Sequence, residues 1–187
     1  MSSLIAFLRA INVGGRNVTM EQLRGLFEQL KFKQVETFIA SGNVIFTANA
    51  GDASALERKI EAHLLKALGY EVKTFIRSEA EIAGIANYKP FRPAQLASAG
   101  ALNIAFLGAP LNAAALNALM ALKTEIDDFH VHGREVYWLC KKKQSESKFS
   151  NAVFEKRLKL RATFRGFNTL TRLADKLANG ADRSGAV

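Results

Sequence analysis

An internal echo narrows the possible folds more than any other feature of this chain. Ile104-Ala105-Phe106-Leu107-Gly108-Ala109 repeats Ile5-Ala6-Phe7-Leu8-Arg9-Ala10, and the same order of elements follows each copy. A six-residue echo is weak evidence alone in so alanine-rich a chain, so the matched order carries the argument. Residues 4–8 are continuously apolar, the pattern of a strand covered on both faces. Thr19 and Gln22 are spaced for a capping box, with Val18 and Leu23 at the positions of a hydrophobic staple. Leu23, Leu26, Phe27 and Leu30 then share one helical face. Strands are expected over 35–40 and 44–47, around the turn-forming Ser41-Gly42-Asn43. Ser54 with Glu57 reads as a second capping box, and Leu56, Ile60, Leu64 and Leu68 as its apolar stripe, stopped by Gly69. A strand is expected over 72–77, and Ser78 with Glu81 opens a short helix. This order, β-α-β-β-α-β, is the split βαβ or ferredoxin-like unit.

The second half runs in parallel. A strand is expected over 104–109, a helix over 111–122, and two strands over 126–131 and 136–140 that turn at His132-Gly133-Arg134. A helix marked by Phe149, Val153, Phe154 and Leu158 starts from Ser147 or Ser150. A short strand over 160–163 and a helix over 168–178 follow, and residues 180–187 are expected to fray. Two of the three prolines fall within residues 87–93. The expected organisation is α+β: two tandem ferredoxin-like repeats, residues 1–86 and 101–187, with a linker over 87–100 and an extra C-terminal helix.

Comparing the halves isolates a surplus. Ala109-Pro110 leads almost directly into the second repeat's first helix, whereas the first repeat inserts a longer loop. The fold does not require that loop, which makes it a candidate for function. In a βαββαβ sheet the first two strands run the same way, so the loop and the 41–43 turn should meet at one rim, beside the N-terminus of the Thr19 helix. Glycine amides, a helix dipole and two guanidinium groups suit a phosphate or carboxylate. The candidate ligand-binding residues are Arg9, Asn12, Gly14, Gly15, Arg16, Asn17, Ser41, Gly42 and Asn43. Val13-Gly14-Gly15-Arg16 matches neither the Rossmann nor the Walker spacing, so a glycine-tolerant surface loop or a protein-contact loop stays open beside the anion site.

Charge adds a second clue. Residues 134–187 hold 13 Lys and Arg against 5 Asp and Glu, whereas residues 1–133 hold 13 against 12. Nearly all of the net +9 therefore lies in the C-terminal part. A one-sided positive field favours anionic partners, nucleic acid among them, although a solvated basic surface has the same composition. The candidate nucleic-acid contacts are Lys141, Lys142, Lys143, Lys148, Arg161 and Arg165. Tyr137 and Trp138 occupy the strand that carries stacking aromatics in RNA-recognition domains, but the glycine-aromatic pattern of those domains is absent.

At these residues the chain resembles a known family. Leu8-Arg9-Ala10-Ile11-Asn12-Val13-Gly14-Gly15, Phe38-Ile39-Ala40-Ser41-Gly42-Asn43-Val44-Ile45-Phe46, and Glu155-Lys156-Arg157-Leu158 followed by Thr163-Phe164-Arg165-Gly166-Phe167-Asn168-Thr169-Leu170 are similar to signatures of the bacterial family catalogued as domain of unknown function 1697. The resemblance implies a two-lobed α+β fold with ferredoxin-like repeats, and it implies no activity. Ala10 stands where the family pattern has Gly, Ala40 where it has Gln, and Gly166-Phe167 where it has Asn-Trp.

His130 and His132 lie two apart on one strand face, short of the three or four ligands zinc takes, so no metal is assigned, and no cofactor motif is present. Cys140 reads as a small buried hydrophobe. No hydrolase triad order, nucleophile elbow or His-Glu-x-x-His occurs. Asp127-Asp128 reads as a strand-edge or turn pair. A single cysteine, no run of about 18 apolar residues and no secretory pattern lead to the expectation of a cytoplasmic protein without a membrane partner. The leading expectation is binding of an anionic ligand, nucleic acid or a phosphorylated metabolite, at the glycine-loop edge and the basic C-terminal lobe. The alternatives are an enzyme acting on a phosphorylated or carboxylated small molecule, and an oligomerising interaction module. The oligomeric state stays open.

Overall fold

The computed structural model describes residues 2–39, 42–49 and 51–184, with side chains through Gly180. The fold is mixed α+β, with two four-stranded antiparallel sheets and seven α-helices among the described residues. The chain divides into two compact units, Met1–Gly84 with Lys176–Val187, and Ile85–Asp175.

The first unit runs β1 (Ser2–Leu8), α1 (Met20–Gln29), β2 (Lys33–Thr37), β3 (Asn43–Ala48), α2 (Ala53–Leu68) and β4 (Thr74–Ser78), with sheet order β2-β3-β1-β4. Thr19 caps α1 and forms the full capping box with Gln22. Val18 and Leu23 are buried in one cluster, as a hydrophobic staple requires. Leu23 and Phe27 of α1 join Ile60 and Leu64 of α2 in that cluster, with Leu4, Ala6, Leu8, Val44 and Phe46. Burying each such side chain contributes about 1.5–3 kcal/mol. Phe32 stacks on Phe46 at 4.5 Å, and Phe27 meets Phe46 edge-on at 5.5 Å. Ile5 and Phe7 on the opposite face of β1 are buried too.

Two local details differ from the expected pattern. α2 is capped by Asp52, whose carboxylate accepts from the Ser54 amide. The Ser54 hydroxyl first, and then that amide bond, hold the Asp52 carboxyl below its usual pKa. Glu57 accepts from the Ile76 amide at 2.8 Å, inside the protein. β2 begins earlier than expected and ends at Thr37, its pairing with β3 shifting register between Lys33 and Glu36, where Gln34 takes φ 49°.

The second unit holds the end of α3 (Glu79–Asn87), which begins in the first unit, then α4 (Pro93–Ala97), β5 (Ala101–Phe106), α5 (Ala113–Met120), β6 (Asp127–His132), β7 (Glu135–Cys140), α6 (Asn151–Leu158), β8 (Thr163–Gly166) and the start of α7 (Phe167–Ser184), with sheet order β6-β7-β5-β8. The 87–100 stretch expected as a linker contains α4, whose first turn is closed by the Arg92 amide donating to Gln95. Ser150, not Ser147, caps α6. The last strand lies three residues later than expected, over Thr163–Gly166, and runs directly into α7. That helix continues to Ser184 where fraying was expected; residues 185–187 lie outside the described residues. From Lys176 onward it groups with the first unit, where Lys176 pairs with Glu36 at 2.6 Å.

Edge strands expose backbone groups that invite pairing with another chain. Here α2 covers one such edge. Glu57 and Glu61, one turn apart, accept from the Ile76 and Thr74 amides of β4. In the second unit Glu155 of α6 accepts from the Ala162 amide at the start of β8. The bulge in β2 and its exposed Lys33 discourage pairing on the other side of the first sheet.

Candidate anion-binding site

The rim at the end of β1 is built by backbone bonds. The Leu8 amide donates to Gly42 O at 2.8 Å, and the Arg9 amide to Lys73 O at 2.8 Å. Ala10 then takes φ 55°, a left-handed conformation in which glycine is at ease. Ile11 turns inward and is buried. Residues 12–17 are exposed, and the chain re-enters the core at Val18.

Asn12 closes the excursion. Its amide group accepts from the Val18 amide at 2.7 Å and donates to Val18 O at 3.2 Å, imitating a strand pair across the loop's base. Gly14 and Gly15 have φ 68° and 81° and open space where a Cβ would stand. The Arg16 guanidinium lies 4.0 Å from the centroid of the Tyr70 ring, and the Tyr70 hydroxyl donates to Ile11 O at 3.0 Å.

The 42–43 turn meets this loop. A Cβ at Gly42 would come within 2.9 Å of Ile11 Cγ2 and 3.2 Å of Leu8 Cβ, and Gly42 has φ 76°. Only glycine lets the two bends approach this closely. Ser41 and Ala40 lie outside the described residues. Asn43 is fully buried, and its side-chain amide donates to Phe38 O at 2.9 Å. It braces the turn from inside, which corrects its reading as a ligand contact. Asn12 is likewise committed to the loop's own closure. Gly14, Gly15, Arg16 and Asn17 remain exposed, Arg9 is half-buried, and Gly42 forms the floor.

In the second unit, Lys141, Lys142, Lys143 and Lys148 are exposed. Arg161 is exposed and paired with Glu155 at 3.3 Å. Arg165 differs. It is buried, donates to Thr163 Oγ1 and Phe164 O at 2.8 Å, and burial lowers its pKa to about 10. An open nucleic-acid surface therefore cannot include it. Burial also raises the pKa of the Cys140 thiol and of the Tyr137 hydroxyl. A protonated, enclosed thiol is a poor nucleophile.

Asp127 is the residue whose importance the linear pattern concealed. It is buried and accepts from Trp138 Nε1 at 2.8 Å, from the Ser147 hydroxyl, and from Thr124 Oγ1 at 3.0 Å. Around it, Trp138 meets Phe149 edge-on at 4.8 Å.

His130 and His132 share a face of β6. Tyr88 stacks on His132 at 4.1 Å, and its hydroxyl lies 2.8 Å from His130 Nε2. Among the described residues no three His, Cys, Asp or Glu side chains are grouped to hold a metal ion. Burial, then His132 and Lys123, disfavour the His130 imidazolium against a smaller pull from Asp128, so its pKa lies below the usual value of about 6.5. As pH falls, the unfolded chain takes up this proton first. The His130 contribution to stability is full above about 6.5 and is lost as pH drops toward the folded-state pKa. Melting temperatures measured from neutral to mildly acid buffer should fall, and His130→Phe should remove that part of the slope. An unchanged slope in the variant would contradict the assignment.

The α+β architecture, with two four-stranded antiparallel sheets, sets the class of fold. The chain belongs to the family described as Protein of unknown function (DUF1697), which matches residues 1–137. That span contains the first two signature stretches; the third, residues 155–170, lies beyond it. The fold is similar to that of a conserved bacterial protein, SP0830 from Streptococcus pneumoniae, with a TM-score of 0.71 and 20% identity over 95% of this chain and 99% of that one. No curated protein matches the chain. No helix among the described residues is long and apolar enough to cross a membrane.

Proposed function

We propose that this protein is a binding module for a phosphate- or carboxylate-bearing ligand, taken up where the 9–17 loop meets the Gly42 turn. The observation that carries this reading is the seating of Arg16. The guanidinium carbon lies over the Tyr70 ring at 4.0 Å from its centroid, and a guanidinium so placed suits in-plane N–H donation to two oxygens of an anion. Tyr70 is itself held on Ile11, so the cation stands beside its own glycine loop with little freedom to lose on binding. The N-terminus of α1 adds about 0.3–1 kcal/mol through its dipole, since the capping box already engages the Gln22 amide. The exposed lysines 141–143 and 148 support a polyanionic version of the ligand, a nucleic-acid strand; a metabolite needs only the rim. Neutral salt separates the two, because phosphate-backbone binding weakens steeply between roughly 50 and 200 mM.

We also read the two units as tandem ferredoxin-like repeats. Matching sheet orders support this, as does the placement of Arg77 opposite Ile5 and of Arg165 opposite Ile104, the same position in the echo. The covered β4 and β8 edges and the bulged β2 give no support to oligomerisation by strand addition at those three strands.

Arg16→Ala is the direct test. It should cost under about 1 kcal/mol of stability, the scale of an exposed cation–π contact, and weaken phosphate binding roughly tenfold or more. A large fall in melting temperature would make the loop structural, and unchanged binding would remove Arg16 from the site.

A further inference from the structure

The second unit also holds a cavity of about 470 Å³ that the proposed rim site does not use. It falls within the range of roughly 300–1,000 Å³ typical of small-molecule sites. Its walls combine three chemistries. Tyr88 and Phe167 supply rings, with Pro90, Leu96 and Leu102 as further apolar surface. Lys89 supplies a cation, its Nζ 5.6 Å from the centroid of the Phe167 ring. Asn103 and Asn168 supply amides.

Two of these groups are held in place. Tyr88 is fixed from behind by the stacked His132 and the His130 hydrogen bond. Asn103, at 8% exposure, donates from its Nδ2 to Gln144 Oε1 at 3.5 Å, and its Oδ1 lies 3.9 Å from where a Cβ at Gly166 would stand, at the cavity wall. Phe167 and Asn168 form the first turn of α7, whose N-terminus favours negative charge. Gly166 keeps the space open: a Cβ there would meet only Asn103 Oδ1, at 3.9 Å. Gly166 and Phe167 thus stand side by side at the wall of this cavity.

We infer that the cavity walled by Tyr88, Lys89, Asn103, Gly166, Phe167 and Asn168 binds a small organic anion with a planar ring, about the size of a nucleoside monophosphate. The ring lies against the aromatic walls, Lys89 and the start of α7 take the anionic group, and Asn103 reads a donor on the ring. This site is independent of the Arg16 rim.

Adenosine monophosphate, adenosine and inorganic phosphate, titrated separately into ¹⁵N-labelled full-length protein, test the inference. The nucleotide should move the Gly166 and Asn168 amide resonances, adenosine should do so more weakly, and phosphate alone should leave them in place. Gly166→Leu should abolish the response with the melting temperature unchanged, because the added side chain grows into empty space. Lys89→Met, at an exposed position, should weaken nucleotide binding roughly tenfold. No response to the nucleotide at millimolar concentration, or an undiminished response in folded Gly166→Leu, would overturn the assignment. Shifts confined to Gly14 and Gly15 would place nucleotide binding at the rim instead.

Discussion

Asp127→Ala should destabilise the second unit by about 3–5 kcal/mol, since it strands several donors at once. The Trp138 indole N–H and the Ser147 and Thr124 hydroxyls all point at this one buried carboxylate. Ser147 in turn accepts from the Phe149 amide, so the loss spreads into the segment that leads to α6. For a chain of this size each kcal/mol moves the melting temperature by about 2–4 °C. Trp138 is the only tryptophan, so intrinsic fluorescence reports the affected unit directly. Asp127→Asn keeps one acceptor and should lie between the two. A wild-type melting midpoint for the alanine variant would show that the cluster contributes nothing.

Gly100→Ala is the second large expected loss, about 2–4 kcal/mol. A Cβ at Gly100 would overlap the Lys142 carbonyl and lie 3.0 Å from Lys142 Cα. The obstacle is backbone, so no rotamer change relieves it. Neither segment is free to retreat: the Gly100 amide donates to Cys140 O at 2.9 Å, and the Lys141 amide to Ile126 O at 2.8 Å. Relief must break one of these bonds or bend the end of β7. Denaturant unfolding within about 0.5 kcal/mol of wild type, the range of harmless surface changes, would contradict the clash.

The two variants also mark the limits of the linear sequence. Signals confined to a few neighbouring residues were legible. Thr19 with Gln22, Ser78 with Glu81, and Gly69 in the left-handed conformation all act locally, and the structure has each in place. Ser54 with Glu57 has the same spacing yet forms no box, because Asp52 competes for the cap and the Ile76 amide claims Glu57. Asp127 beside Asp128 looks like a turn pair until β7 brings Trp138 across. Ser147 has the look of a helix cap but serves Asp127, while Ser150 caps α6.

At the rim the same lesson applies to polarity. Asn12 and Asn43 have the right chemistry for a ligand, but each satisfies backbone of its own loop. Arg165 counts toward the basic C-terminal part by composition, although its charge is buried. Glycine and arginine positions were more legible, because a surplus loop is visible when one half of the chain is laid against the other. The Tyr70 stack that fixes Arg16 joins residues 54 positions apart and has no linear signature.

Titration of inorganic phosphate into ¹⁵N-labelled protein at low salt tests the anion rim most directly. Saturable shifts at the Gly14, Gly15 and Gly42 amides, lost in Arg16→Ala, are the predicted result. Those three resonances standing still while phosphate is raised through the millimolar range would contradict it.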